Sequence, residues 1–450
     1  MKSRGLFCIP AIMKKVLRPG LYVTLAYPCL IPALVLLSIP TGRAARAACS
    51  EQLPLQTTTL TAATKAGAST DAAQSLARAI AMTVTEQAKL TPPDGAVGDQ
   101  FGVSVSLSGN RALVGARLTD DNGTDSGSAY VFVFNGTSWS EEAKLLPSDG
   151  VAGDFFGTTV SLSGNRALVG APFKAGTGMH SGAAYIFVFD GTSWTQQAKL
   201  NASDSGNVDN FGDSVSLSGN QALISAPFNG NGAAYYFVLS GGTWSQQAKL
   251  LPDGGTGFID AVSLSGNRAL LGGRGITPAN ASYIFVYDGT SWSQEAKLTS
   301  GVAYDQFGVS VSLSGTRAIV GAPLDGDNGI SSGAAYVFAF DGTTWSEQAK
   351  LTASDEARNN QFGTSVSLSG TRALVGAIRG TGSVQASGAA YLFAFDGTSW
   401  TQRNKLIASD GDSYDTFGDS VSLFGARALV GASTNVVNGV ASGSAYFFGR

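Results

Sequence analysis

The sequence runs to 450 residues with 58 Gly, 10% aromatic and only 14% charged residues, which favours short strands and tight turns over helices and points to an all-β protein. The formal charge of −3 hides an asymmetry: residues 1–48 hold seven bases and no acid, which leaves 22 bases against 32 acids in the rest. An acidic body without a basic stripe excludes nucleic acid as a partner, and cysteines confined to positions 8, 29 and 49 exclude a disulfide framework or thiolate metal site beyond them.

The N-terminal segment predicts a signal peptide over residues 1–48. Lys14, Lys15 and Arg18 precede an apolar run from Leu21 to Ile39, and Ala45-Arg46-Ala47 offers small residues for cleavage near 47/48. Pro28 and Pro32 interrupt the run and argue against a permanent anchor, so no membrane span is expected in the mature chain. Arg46-Ala47-Ala48-Cys49 departs from a lipobox, because arginine stands where leucine is wanted. Residues 49–81, rich in Ala and Thr, read as a linker in which Asp71–Met82 suits one short helix.

From residue 82 to 450 the chain repeats. Copies start at Phe101, Phe156, Phe211, Phe258, Phe307, Phe362 and Phe417, spaced by 47 to 55 residues. In the first copy four strands are predicted, at 101–108, 111–116, 129–134 and 139–145, with Gly109-Asn110 and Asn135-Gly136 as hairpin turns. Alternation in the first strand puts Phe101, Val103, Val105 and Leu107 on a large face and Gly102, Ser104, Ser106 and Ser108 on a small one, as radially stacked blades require. The last copy ends at 446–450 without a fourth strand, while Val84–Leu90 matches the fourth strand Trp345–Leu351. The expected fold is therefore a seven-bladed β-propeller of four-stranded blades, closed by an N-terminal strand that completes the last blade.

Phe-Gly at the head of most units, Gly-Ala-Pro at 170–172 and 321–323, and Gly-Ala-Ala-Tyr before the third strand are similar to the FG-GAP repeat of integrin α-subunit propellers, over about residues 82–450. The resemblance implies a secreted or cell-surface binding or adhesion module, of bacterial secreted type, that recognises an extracellular protein or glycan. The family's Asp-x-Asp-x-Asp-Gly calcium loop is replaced by Ser108-Gly109-Asn110-Arg111 and its equivalents, so calcium is not expected there and no cofactor is assigned.

Comparison among the units locates the variable surface. The second-to-third loops have ten residues at 117–126, 172–181, 323–332, 378–387 and 433–442, but five at 227–231 and six at 274–279. These share a face with the fourth-to-first connections, and Asp120, Asp121, Asp125, Lys174, His180, Asp325, Asp327 and Arg379 are its candidate ligand contacts. The pairs Asp94/Asp99, Asp149/Asp154, Asp204/Asp209 and Asp410/Asp415 read as turn stabilisers in preference to a metal site, and the six tryptophans that open fourth strands as packing between blades in preference to sugar platforms. A lone histidine and the lack of any nucleophile elbow or phosphate loop argue against an enzyme. A monomeric binding module is expected, with a carboxylate-dependent glycan-cleaving enzyme and a multivalent lectin as the alternatives.

Overall fold

The computed structural model describes residues 14–18, 21–24 and 84–449, apart from 254–256, 276–279, 303 and 356. Most of the expected signal peptide, its cleavage point, the three cysteines and the linker lie outside the described residues. Within the N-terminal unit, Lys14–Arg18 and Leu21–Thr24 pair as antiparallel strands. Among the described residues no helix is long and apolar enough to cross a membrane.

The unit from Val84 to Arg450 is seven four-stranded antiparallel sheets, and its first blade has strands at Phe101–Ser108, Arg111–Ala116, Ser128–Phe134 and Trp139–Leu145. The seventh blade takes three strands from 421–449 and its fourth from Thr85–Leu90, which pairs with Ser444–Gly449 in the register Thr85 to Gly449 and Leu90 to Ala445. The ring therefore has no open edge.

Second and third strands read as nearly continuous apolar runs because neighbouring blades cover both faces of each sheet. The core is correspondingly divided among the blade interfaces. Each of seven buried clusters draws on two adjacent blades, as when Leu113, Val131 and Leu145 of blade 1 meet Phe156, Val160 and Tyr185 of blade 2.

The small face of the first strand does more than permit approach. The hydroxyls of Ser106, Ser161, Ser216, Ser263, Ser312, Ser367 and Ser422 each accept the backbone N–H of a leucine in the next blade, at 2.9–3.0 Å, and the last reaches Leu107 of blade 1. A closed circuit of seven hydrogen bonds thus runs round the axis. Farther along the strand the alternation breaks: Gly102 has φ +93°, and the register skips between Phe101 and Ser104. A Cβ on Gly115 would collide with the carbonyl oxygen of Gly157 in the next blade, and Gly170, Gly321, Gly376 and Gly431 meet the same obstacle at their own interfaces.

One interface departs from this rule on both sides. Blade 3 has the buried Ser225 where the other second strands have glycine, and blade 4 has Ile259 where the others have the glycine of Phe-Gly. We expect Gly115→Ala to cost at least about 2 kcal/mol, since backbone rather than a flexible side chain blocks the new methyl. Ser106→Ala should cost about 1 kcal/mol, the worth of one hydrogen bond. Urea denaturation of the two variants checks the order, and equal costs would contradict it.

Candidate functional site

The second-to-third loops and the fourth-to-first connections occupy one face, and backbone hydrogen bonds lace them together across blades. Gly153 N–H reaches Thr124 O at 2.9 Å, Val208 N–H reaches Met179 O at 2.8 Å, Asn359 N–H reaches Ile330 O at 2.9 Å, and Tyr414 N–H reaches Ala386 O at 3.0 Å. Several of these residues, including Val208, Asn359, Tyr414 and Ala386, hold positive φ without being glycine, a conformation that costs of order 1 kcal/mol or more and persists only where surroundings enforce it. Each long loop is therefore fixed to the connection that follows it.

Among the described residues, every exposed large apolar side chain except Phe424 lies on this face. Met179, Ile330, Val384 and Val436 sit on the long loops, while Val97, Val151, Tyr304 and Tyr414 sit on the connections. Tyr304 and Tyr414 are 72% and 71% exposed. In blade 2 a half-buried aromatic file adds to this surface: Phe155 meets Phe173 edge-on at 4.9 Å, and Phe173 meets His180 at 5.0 Å. Apolar groups gathered on one face of an otherwise polar surface mark an interaction site.

A family model described as the FG-GAP repeat matches residues 84–132, 139–187, 194–237, 292–338, 345–393 and 400–448. The chain belongs to the FG-GAP repeat family. Each match begins at a fourth strand and ends in the next blade's third, and the stretch between 237 and 292 takes in the fourth strand of blade 3 and the first three of blade 4. No curated protein matches the sequence. Among solved structures, the Mitotic Checkpoint Complex matches at TM-score 0.51 and 14% identity, over 82% of this chain and 96% of that one, a likeness of fold alone. A putative 6-phosphogluconolactonase from Bacteroides uniformis matches at TM-score 0.49 and 11% identity, over 69% and 86% of the two chains. Saccharomyces cerevisiae Sqt1 matches at 0.45 and 10%, over 78% and 84%.

The candidate contacts divide within this FG-GAP face. Arg379 is exposed, and Asp120 is exposed with its carboxylate accepting the Asp125 N–H at 2.9 Å. Asp125 and His180 hold positive φ at the loop ends, with His180 packed on Phe173. Asp121 and Asp327 are at the surface, each paired with a fourth-strand lysine, Lys144 at 2.5 Å and Lys350 at 2.6 Å. Lys174 and Asp325 turn inward, a correction to their reading as surface groups. Lys174 is 5% exposed and donates to Asp154 at 2.9 Å and to the Asp149 carbonyl, while Asp325 is 1% exposed and accepts from Tyr336 at 2.6 Å and Lys350 at 2.9 Å. Both stand third in their loops, a column that also holds the buried Thr119 and Asn435, where the chain passes over the blade interface.

The acidic pairs have two jobs. The second members bind backbone amides three residues back, as Asp99 does to Ala96 N–H at 2.6 Å and Asp154 to Val151 N–H at 2.8 Å, which is the turn-holding role. The first members reach into the next blade and take a third-strand tyrosine and a fourth-strand lysine: Asp94 with Tyr130 and Lys144, Asp149 with Tyr185 and Lys199, Asp204 with Tyr235 and Lys249, Asp410 with Tyr446 and Lys89. Asp355 does the same to Tyr391 and Lys405, and Asp325 supplies the carboxylate in blade 5. Sequence reasoning missed this bridging trio, although tyrosine and lysine recur at fixed places in all seven units. The tryptophans pack between blades: Trp194 donates its indole N–H to Glu142 of the preceding blade at 2.8 Å, and Trp345 likewise to Glu295.

Partial burial pushes the carboxyls of Asp94, Asp149, Asp204, Asp325, Asp355 and Asp410 upward, but the lysine and tyrosine donors outweigh it and hold all six below the ordinary 3.8. A carboxyl depressed on folding adds stability that is complete above its unfolded value and is lost as pH falls through its folded one. Asp99 and Asp415, raised chiefly by burial, act in the opposite sense but are fewer. Thermal stability should therefore be flat from about pH 7 to 5 and fall steeply below about pH 4. Asp149→Asn should lower Tm at neutral pH and flatten the acid limb, and an unchanged limb would count against the bridging role. Lys174→Ala, which strands the buried Asp154, should cost about 3–5 kcal/mol in denaturant unfolding. A loss within experimental error would return Lys174 to the surface set.

Proposed function

We propose that this FG-GAP protein is a secreted or cell-surface module that recognises an extracellular protein or glycan through its long-loop face, and that it acts by binding rather than catalysis. The observation that carries this reading is the gathering on that face of every exposed large apolar side chain but Phe424 among the described residues, beside loops already fixed by hydrogen bonds between blades. A rigid platform bearing Tyr304, Tyr414, Met179 and Ile330 loses little freedom when a partner covers it, and aromatic anchors of this kind dominate binding energy at interfaces. Glycan cleavage by paired carboxylates finds less support, since the paired aspartates are taken up by lysine, tyrosine and backbone donors. A lectin built on the tryptophans finds less too, since Trp194, Trp244, Trp345 and Trp400 donate to the neighbouring blade.

The test is binding of the full chain to an array of glycans and extracellular proteins, with calcium or with chelator. Saturable binding should vanish when 323–332 is replaced by the short 227–231 segment. Binding that ignores every loop on this face would overturn the assignment, and new reducing ends on an array glycan would make the protein an enzyme.

A further inference from the structure

Blade 4 keeps two parts of the bridging trio and lacks the third. In the other six blades a tyrosine hydroxyl and a lysine ammonium hold an aspartate between them, at 2.6–2.8 Å and 2.5–2.9 Å respectively. In blade 4 the Lys297 ammonium lies 5.9 Å from the centre of the Tyr283 ring, the same stacked arrangement found in the other blades, yet no carboxylate among the described residues bonds to either side chain. Lys297 is exposed, and Tyr283 is 5% exposed against 0–3% for the tyrosines of the six filled trios, with no hydrogen-bond partner for its hydroxyl among the described residues.

The cause is one missing residue. Blade 1 leads into blade 2 through Leu145-Leu146-Pro147-Ser148-Asp149-Gly150, whereas blade 3 leads into blade 4 through Leu250-Leu251-Pro252-Asp253-Gly254. A glutamine on the next blade's fourth strand fixes the register of both connections: Gln196 accepts the Ser148 N–H at 2.9 Å, and Gln294 accepts the Asp253 N–H at 2.9 Å. Asp253 therefore occupies the serine position, one place short, and the next residue in the sequence is glycine where blade 1's connection has Asp149. The neighbouring stretches 254–256 and 276–279, Gly-Gly-Thr and Ile-Thr-Pro-Ala, contain no acid that could take its place.

We infer that Tyr283 and Lys297 form a carboxylate-binding site that takes an aspartate side chain from a protein partner. The six filled copies define the occupant's size, for all hold aspartate and none glutamate. An exposed ammonium beside a phenol hydroxyl supplies two donors to one carboxylate, a charge-assisted arrangement stronger than a neutral contact. Tyr283 and Lys297 stand on the strands next to the six-residue second-to-third loop of blade 4, one of the two short loops of the ring. This inference deepens the recognition reading and rests on it for the nature of the partner, but it is tested without any partner.

The experiment uses the full chain carrying lysine labelled with 13C at the ε-carbon, with Lys297 assigned by the signal lost in Lys297→Arg. N-acetyl-aspartate N-methylamide is titrated in, against N-acetyl-asparagine N-methylamide and methyl glucuronide. Lys297 should shift saturably with the aspartate probe and not with the asparagine probe, while lysines of the six filled sites stay fixed. Tyr283→Phe should weaken the response about three- to tenfold, the worth of one hydrogen bond. Gly254→Asp, which restores in the sequence the aspartate that blade 1's connection has at 149, should raise Tm and abolish the response of Lys297 to added probe. No shift of Lys297, or equal shifts with both amide probes, would overturn the site whatever the array shows. A tighter response to the glucuronide would overturn the choice of aspartate, and array binding to a protein without any effect at Lys297 would leave the face correct and this site wrong.

Discussion

Blade-to-blade approach at the axis is the constraint from which the rest follows. Seven sheets can share one axis only if the inner strands come close enough for Ser106 of one blade to accept the Leu162 N–H of the next. The same closeness forbids a Cβ at Gly115 or Gly170. It also explains why the buried clusters belong to interfaces rather than to blades. Stability is thereby pooled: no blade owns a complete core, so each is held by its neighbours, and pairing of Thr85–Leu90 with Ser444–Gly449 gives the first and last blades the same support as the others.

Much of this was legible in the sequence because repetition converts one ambiguous pattern into seven concordant ones. Strand positions in the first unit agree with the structure to within one residue, at 128 against 129, and the transferred strand was visible as a displaced copy of Trp345–Leu351. Chemistry was harder to read than geometry. The serines were legible as small, but their role as acceptors depends on which backbone amide lies opposite, and that is a property of the neighbouring blade. Lys174 and Asp325 were misread for a related reason. Loop residues are ordinarily solvated, yet the third position of these loops lies over an interface, where Lys174 meets Asp154 and Asp325 meets Tyr336.

The division between fixed and variable parts follows from the same geometry. Connections that carry Asp149 or Asp410 must span two blades and hold their chemistry, whereas the long loops need only dock on those connections through backbone groups. Backbone docking leaves side chains free to differ, so Met179, Ile330 and Val384 are all exposed on their loops with different shapes. Blade 4, where the family pattern lapses, also lacks the bridging carboxylate, and its interface with blade 3 has Ser225 and Ile259 in place of the two interface glycines.

The sealing strand has a consequence for the order of synthesis. Residues 85–90 leave the ribosome early, yet their partner at 444–449 is made some 355 residues later, so the ring cannot shut before that strand has emerged. Until then the seventh blade has no outer strand and the first has no neighbour on one side. A product cut short anywhere before residue 444 keeps an unpaired edge at each end and so is exposed to proteolysis or aggregation, while a ring closed by that pairing presents none. Closure by a strand from before the first blade thus makes compactness itself a record that the seventh blade has been made.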